Sequence, residues 1–249
     1  MSHGSRVRSG ALVPKAHVGT SGWAYATWKP KFYPPEVKAA GFLSHYAERF
    51  RTVEVNYTFN HLPTAKNIET WSAATPLDFV FSLKASQRIT HFDRLQHPAD
   101  TLPPFWEKAR PLGDRLGPVL FQTPPWLKRN DDLLAGFVAE LPSDQRCAME
   151  FRDTSWYVPE VYELLALRNV ALCHAEGERA PSPLESVGAG ADFAYLRLRD
   201  ERGYDDAAVA TWAGRCAALL GSGKDVYAYF RHDADGANGL AAERLRRAL

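Results

Sequence analysis

The chain has 249 residues, of which 45% are hydrophobic and 24% are charged, a composition typical of a folded protein with a large core. The formal net charge is only +1, so overall charge does not attract the protein to nucleic acid or to an anionic membrane. No apolar stretch approaches the ~18 to 20 residues of a membrane span, so we expect no membrane association. Cys147, Cys173 and Cys216 lie far apart in apolar runs, which predicts buried thiols in the reducing cytoplasm.

Residues 1–16 lack the apolar segment of a secretory signal, and we expect them to form a flexible arm or a cloning remnant. From residue 17 onward, short β-rich runs alternate with longer amphipathic runs, the pattern of repeated βα units around a parallel sheet. Strands are predicted at residues 17–23, 52–56, 79–85, 118–123, 146–151, 170–175, 193–198 and 225–230. Helices are predicted at residues 35–50, 63–74, 102–116, 131–141, 159–168, 205–220 and 238–249.

The connection after the sixth strand differs from the others, because residues 180–190 are rich in Pro, Gly and Ser. No shift in composition divides the remainder of the chain. Eight βα units in about 230 residues match a closed (β/α)8 TIM barrel better than an open doubly wound sheet. The sequence therefore predicts one α/β TIM-barrel domain over residues 17–249, with an irregular segment in place of a full helix after strand six.

The alternation of side chains along each strand predicts which residues face the barrel interior. Outward side chains pack on helices and are apolar, whereas inward side chains at the carboxyl ends line the site. The polar inward set is Glu54, Asn56, Ser82, Lys84, Gln122, Glu150, Arg152, Tyr195, Arg197, Arg199, Tyr227, Tyr229 and Arg231. For strand six two registers stay open, with either Ala171, Cys173 and Ala175 or Val170, Leu172 and His174 inward.

The inward set holds more bases than acids, so we predict a positively charged mouth. The loops around it are aromatic, with Trp23, Tyr25, Trp28, Tyr57, Phe59, Trp126, Trp156 and Tyr157. Aromatic faces stack on sugars or bases, and arginine forks bind phosphate or carboxylate at two points. We expect an anionic ligand with a ring-shaped part. In the alternative, the charges form a structural network, and Trp28, Phe32 and Tyr33 only cover the first helix.

A metal ion is possible but not favoured. His91, His174, His232 and Asp233 could converge with the two inward glutamates, since first-row metals bind His and carboxylate. However, no H-x-x-H or H-E-x-x-H spacing occurs, and the basic neighbours would repel a cation. We predict no metal ligand and no cofactor. The two carboxylates could instead act as acid and base.

Several segments together resemble a known family. They are residues 17–34 (HVGTSGWAYATWKPKFYP), 52–63 (TVEVNYTFNHLP), 84–95 with its Thr90-His91 pair, 116–125 (LGPVLFQTPP), 150–156 (EFRDTSW) and the Tyr195 to Arg197 stretch. The chain resembles the domain-of-unknown-function 72 (YecE-like) family, which implies a TIM barrel of unestablished activity with distant kinship to endonuclease-IV-like and xylose-isomerase-like barrels. The family pattern is kept at Glu54, Asn56, Lys84, His91, Gln122, Glu150, Arg152, Arg197, Asp233 and Asn238. It is not kept at Asn60, Asp153, Arg199, Asp200 and Arg231.

The leading hypothesis is an enzyme, hydrolase/phosphoesterase-like or isomerase-like, that acts on an anionic (phosphorylated) sugar or a nucleotide-containing ligand at the barrel mouth. The predicted catalytic residues are Glu54, Glu150, Lys84 and His91. The predicted ligand-binding residues are Trp23, Asn56, Tyr57, Gln122, Arg152, Trp156, Arg197, Arg199, Arg231, His232, Asp233 and Asn238. Two alternatives stay open: a non-catalytic barrel that binds nucleic acid, and a barrel that has lost its activity.

Overall fold

The structure, a computed structural model, describes residues 13–177 and 182–249. Within them, eight parallel strands pair in the order β1-β8-β7-β6-β5-β4-β3-β2. The strands are β1 (Ala16–Thr20), β2 (Thr52–Val55), β3 (Val80–Lys84), β4 (Leu116–Gln122), β5 (Cys147–Glu150), β6 (Val170–Ala175), β7 (Phe193–Leu198) and β8 (Asp225–Phe230). One parallel bridge between Ser21 and Glu54 joins the two ends of the sheet. The sheet is thus a nearly closed barrel, which confirms the predicted architecture.

Helices follow the strands along the chain and cover the outside of the barrel. They are α1 (Phe42–Arg49), α2 (Ala65–Ala73), α3 (Pro98–Ala109), α4 (Asp131–Ala139), α5 (Pro159–Ala166), α6 (Asp206–Gly221) and α7 (Ala237–Ala248). Between β6 and β7 the described residues contain a single 3-10 turn, Leu184–Ser186. The predicted irregular segment lies here, and residues 178–181 within it are outside the described part of the chain. The predicted arm likewise falls mostly outside it, and β1 begins one residue before the expected boundary.

Side-chain caps determine where three of the helices begin. Thr64 and Asn67 form a capping box at α2, in which each side chain accepts a hydrogen bond from the other residue's backbone N–H. Asn130 accepts from the first turn of α4 and Asp205 from the first turn of α6, at 2.9 and 2.8 Å. These bonds satisfy N–H groups that the first helical turn leaves unpaired.

Other boundaries differ from the predicted ones. The third helix begins at Pro98 rather than at residue 102, because proline suits a first turn, where no N–H donor is required. It ends at Ala109, and a 3-10 segment, Arg110–Arg115, leads into β4. The first strand ends at Thr20 rather than at residue 23, and Gly22 has a φ of 91° that an extended strand does not contain. The first α-helix begins at Phe42 rather than at residue 35.

The core has two apolar layers. The larger lies between the strands and the helices. The smaller fills the barrel and consists of Leu120, Ala148, Ala171, Cys173, Ala191, Phe193, Tyr195, Tyr227 and Tyr229. This inner layer decides the register of β6, because Ala171 and Cys173 belong to it whereas His174 packs on Trp212 of α6, with ring centres 5.4 Å apart. Small side chains inward leave room for the larger ones opposite.

The β1–β2 seam, where the sheet closes, depends on a tyrosine from α1. The Tyr46 hydroxyl accepts the backbone N–H of Thr20 at 2.9 Å and donates to the carbonyl of Thr52 at 3.1 Å. A Cβ on Gly19 would lie 2.4 Å from the Thr52 oxygen and 2.8 Å from the Tyr46 hydroxyl. Only glycine therefore allows this approach. Across much of the seam, side-chain hydrogen bonds replace a backbone ladder.

Candidate functional site

Arg197 on β7 lies at the centre of the candidate site and is completely buried. Its Nε and Nη2 donate to the two carboxylate oxygens of Glu54 at 3.0 and 2.8 Å. Its Nη1 donates to Glu150 Oε2 at 2.6 Å. We call these three residues the buried triad. Because charge-assisted bonds with a two-point fork are among the strongest in proteins, the triad connects β2, β5 and β7 firmly through the barrel interior.

Neutral donors complete the hydrogen bonding of the two glutamates. Glu54 also accepts from the Ser21 hydroxyl at 2.7 Å and from the Tyr195 hydroxyl at 2.9 Å. Glu150 accepts from the Gln122 side-chain amide at 2.6 Å. Burial alone would raise both carboxyl pKa values, but the nearby arginine charges outweigh it. The pKa of Glu54 is lowered, and that of Glu150 is lowered to about 2, so both are carboxylates at neutral pH.

Lys84 stands at the end of β3, beside the buried triad. Its Nζ donates to Gln122 Oε1 at 2.9 Å and lies 4.0 Å from the centre of the Phe59 ring. Burial, together with the positive charge of Arg197, lowers the Lys84 pKa from 10.5 to about 8. A lysine with such a pKa can exchange a proton near neutral pH, which is a property of catalytic lysines.

Arg152 and Arg199 bring two further positive charges to the same place. Arg199 lowers the pKa of Glu54 and of Glu150, and Arg152 interacts electrostatically with Glu150. Burial is the largest cause that lowers the pKa of both guanidinium groups. The charge of Arg197 lowers both further, and that of Arg199 lowers the pKa of Arg152, but both groups remain cations. We call Lys84, Arg152, Arg197 and Arg199 the cationic cluster. Its four charges exceed those of the two glutamates.

His91 borders the cationic cluster from a π-helical turn, Arg88–Phe92, that follows β3. Its Nδ1 lies 2.9 Å from the Thr90 hydroxyl, and its ring meets Phe59 edge-on at 5.0 Å. Burial, then the charges of Lys84 and Arg152, lower its pKa below 6.5, so the imidazole is neutral at pH 7. Single π-turns occur often at functional sites.

An aromatic pocket of about 250 Å³ opens between the loops that follow β1 and β2. Trp23, Asn56 and Tyr57, three of the predicted ligand-binding residues, line it. Asn67 and Trp71 of α2 also line it. Sequence reasoning missed these two, since side chains on a helix gave no signal that they reach over the end of a strand.

The residues after β8 line a different space, a broad groove of about 990 Å³ beside the loop after β7. Asp233 accepts the N–H groups of Gly236 and Asn238 at 2.7 and 2.6 Å and thereby fixes the turn that leads into α7. The Asn238 amide donates to the carbonyl of Arg231 at 3.0 Å. The exposed Arg231 side chain pairs with Glu201 at 3.3 Å instead of joining the cationic cluster. Asp233 and Asn238 thus hold the local backbone.

His232 lies between this groove and the aromatic pocket. Its ring stacks on Tyr25, with centres 4.7 Å apart and planes inclined by 12°. Burial, then the charges of Arg231 and Arg199, lower its pKa. Among the predicted residues after β8, His232 therefore contacts Tyr25 of the aromatic pocket and is close enough to Arg199, a member of the cationic cluster, for that charge to lower its pKa.

Trp156 was expected at the mouth, and the structure corrects this expectation. The side chain is completely buried in the outer layer of the core, where it stacks on Phe151 with ring centres 4.5 Å apart. Its Nε1 donates to the carbonyl of Leu127 at 2.7 Å. Asp153 caps the turn that carries it. A ligand at the mouth cannot reach this ring, because burial removes both of its faces from solvent.

Among residues 13–177 and 182–249, no three or more His, Cys, Asp or Glu side chains converge as a metal site would require. His174, considered as a ligand, packs against α6 on the outside of the barrel. None of the helices in those same ranges is both long and apolar enough to cross a membrane.

The fold and the site together define a (β/α)8-barrel protein whose charged residues gather at the carboxyl ends of the strands, where barrel proteins place their ligand sites. The family model described as "Protein of unknown function DUF72" matches residues 17–249. The chain belongs to this family, which confirms the resemblance seen in its sequence motifs.

Relatives and solved structures agree with this assignment. UPF0759 protein YunF of Bacillus subtilis (strain 168) is 29% identical over 194 residues, which cover 74% of this chain and 66% of the relative. A DUF72 family protein from Thermotoga maritima MSB8 is 26% identical with a TM-score of 0.83, covering 94% of this chain and 98% of that one. A DUF72 family protein from Enterococcus faecalis V583 is 16% identical with a TM-score of 0.74, covering 94% and 97%, and supports the fold alone.

Proposed function

We propose that this protein is an enzyme that binds an anionic ligand, a phosphorylated sugar or a nucleotide, at the barrel mouth. The observation that carries the proposal is the charge imbalance of the cationic cluster. The cluster has four positive charges, and the two carboxylates beside it, both bonded to Arg197, have two negative charges, which leaves an excess of two positive charges. A dianionic phosphate group would neutralise the remaining charge, and guanidinium forks match its oxygens in two-point geometry.

Lys84 and His91 are the groups best suited to transfer protons to and from such a ligand. The neutral imidazole of His91 can accept a proton, and the Lys84 ammonium, with a pKa of about 8, can donate one. Phe59 contacts both side chains, so the two lie near each other. The chemistry we propose is therefore acid-base catalysis by these two residues.

The sequence suggests that Glu54 and Glu150 act as acid and base. We propose a different role for them. Both are ionised, completely buried and bonded to Arg197, and Glu54 accepts from Ser21 and Tyr195 as well. Residues in this state have no proton to donate. We propose that they position Arg197 and balance its charge.

The anion site can be tested by calorimetric titration with sulfate and with ribose 5-phosphate. Arg152→Ala should weaken both ligands by roughly tenfold or more, because a hydrogen bond to a charged group contributes about 1.5 to 3 kcal/mol. Arg110→Ala, which removes an exposed arginine paired with Asp144, is the matched control and should leave both affinities unchanged. Absence of saturable binding, or equal effects of the two variants, would contradict the proposal.

A non-catalytic role in nucleic-acid binding receives less support. Binding to the phosphate backbone of a nucleic acid requires an extended basic surface. Several exposed arginines of this protein are instead paired with acids, among them Arg110 with Asp144, Arg202 with Asp200 and Arg244 with Asp206. Titration with single-stranded DNA at two salt concentrations separates the two functions. A steep loss of affinity with salt would favour the nucleic-acid role.

The proposal includes a cytoplasmic location. Cys147, Cys173 and Cys216 are free and buried, as expected of thiols in a reducing compartment.

A further inference from the structure

We infer that the aromatic pocket binds a flat nitrogen heterocycle, so that the ligand at this mouth is a nucleoside monophosphate with its base in the pocket and its phosphate on the cationic cluster. The inference rests on the proposed function and names the substrate class of that site.

The pocket offers flat faces that other rings hold in place. Trp23 packs edge-on against Trp71, with ring centres 6.0 Å apart and planes at 88°. Tyr57, which is 45% exposed, stacks on His61 at 5.0 Å. Rings supported in this way lose little conformational freedom when a ligand binds. Stacking of a base on an aromatic side chain is a general mode of nucleotide recognition.

Two amide side chains provide the polar groups of the pocket. The Oδ1 atom of Asn67 is engaged in the capping box of α2, but its Nδ2 has no hydrogen-bond partner within the described ranges. Asn56 makes no side-chain cap bond to the turn that follows it, and its amide likewise lacks a partner among those residues. Amides offer both donors and acceptors, which the edge of a base requires.

Volume and polarity favour a heterocycle over a sugar ring. The pocket, at about 250 Å³, is smaller than the roughly 300 to 1,000 Å³ of sites that enclose a whole drug-sized ligand. It suits one ring system. A pyranose carries several hydroxyl groups, and each would require a partner on burial. The two amides are too few for a sugar, whereas a base has apolar faces and polar groups only at its edge.

Tyr25 connects the pocket to the cationic cluster. Its hydroxyl donates to the carbonyl of Ser21 at 2.8 Å, and the hydroxyl of Ser21 in turn donates to Glu54. A Cβ on Gly22 would lie 2.5 Å from the Tyr25 hydroxyl, so the glycine permits this orientation of the ring. The charge of Arg199 also acts on Tyr25. A base on the pocket side and a phosphate on the cluster side would place the ribose beside this tyrosine.

Calorimetric titration with sulfate, ribose 5-phosphate, adenosine, AMP and UMP tests the inference. At least one nucleotide should bind about 5- to 150-fold more tightly than ribose 5-phosphate, the range expected from one base stacked on an aromatic side chain. Tyr57→Ala and Asn56→Ala should remove this gain and leave ribose 5-phosphate binding unchanged. The matched control is Tyr162→Ala, which removes a partly exposed aromatic side chain of α5 outside the pocket and should change neither affinity.

The possible failures are distinguishable. If both nucleotides bind no more tightly than ribose 5-phosphate, or if the pocket variants weaken all ligands equally, the base site is wrong and the anion site stands. Adenosine that binds as tightly as AMP would contradict the link between the pocket and the cationic cluster. If neither sulfate nor any phosphate compound binds, the proposed function itself is wrong.

Discussion

Arg197 affects both the stability of the barrel interior and the charge of the candidate site. Its guanidinium joins two carboxylates from different strands, and each carboxylate is further bonded to neutral side chains. An ion that is buried and completely bonded in this way has a fixed geometry. Replacing Arg197 alone leaves two buried carboxylates without the guanidinium that binds both, whereas replacing all three with neutral side chains leaves no charge within the triad.

This difference predicts the outcome of substitutions in the buried triad. Arg197→Met should lower the free energy of unfolding by about 3 to 5 kcal/mol, because both glutamates lose their counter-charge. Adding Glu54→Gln and Glu150→Gln to the same chain should restore much of that loss. Urea denaturation of the single and triple variants at pH 7 measures both effects. A triple variant less stable than the single one would contradict this account.

Lys84 gives a pH-dependent prediction. Its pKa is about 8 in the folded protein, against the ordinary lysine value of 10.5 expected for the unfolded chain, so between these values the unfolded chain binds more protons. The free energy of unfolding should therefore rise with pH across this window, by up to about 3 kcal/mol. Lys84→Met removes this dependence and should be more stable than the natural chain at pH 7, with the difference narrowing at pH 9.5. A difference that stays constant with pH would show that the buried charge is not its cause.

At the scale of elements, the closing contact of the barrel is its least regular one. Elsewhere the parallel strands pair along several residues, but β1 and β2 share one bridge and the hydrogen bonds of Tyr46. That tyrosine belongs to α1, so a helix holds the seam between two strands. Tyr46 is completely buried, so loss of its hydroxyl group would leave buried hydrogen-bonding groups unpaired, which costs free energy.

Tyr46→Phe tests the role of the hydroxyl group. The substitution keeps the ring but leaves the Thr20 N–H and the Thr52 carbonyl without this partner, at a cost of about 1 to 3 kcal/mol. Native-state hydrogen exchange should show faster exchange of the Thr20 amide, with little change at the β7–β8 pairing. Tyr162→Phe, a change at a partly exposed tyrosine of α5, is the control. Uniform acceleration across the sheet would mean that the seam is not a local weak point.

At the scale of the whole molecule, the triad predicts how the protein responds to acid. The pKa of Glu150 is about 2 in the folded protein, against the ordinary glutamate value of 4.5 expected for the unfolded chain. Its stabilising contribution is therefore fully present above pH 4.5. It is lost as the pH falls from 4.5 through 2 and amounts to about 3 kcal/mol for this residue alone. Urea denaturation at pH 6, 4 and 3 should show this fall. The triple variant with a neutral triad should show a smaller one.

The architecture could be predicted because each outward strand face had to be apolar where it packs on helices. The same rule placed Glu54, Glu150 and Arg197 inside the barrel. It left two registers open for strand six, because alanine, cysteine, valine and leucine are all apolar. The inner layer, with Ala171 and Cys173, and the packing of His174 on Trp212 decide between them.

The partners within the site could not be predicted. Alternation gives the direction of a side chain, but which of several bases binds Glu54 depends on distances across the barrel. Trp23 and Trp156 follow strands in similar sequence contexts, yet Trp23 borders the pocket and Trp156 is buried. Asn67 contributes to the pocket from the helix that it caps. These outcomes depend on tertiary packing rather than on local pattern.

The buried triad also determines how deep a ligand can enter. Because all three side chains are completely enclosed and Arg197 is bonded to both glutamates, they form a floor across the barrel. A ligand at this mouth would therefore bind above that floor. Lys84, His91, Arg152 and Arg199, which are not part of the triad, are the side chains of the proposed site that such a ligand would contact. Loop changes could then alter the ligand without disturbing the charges beneath.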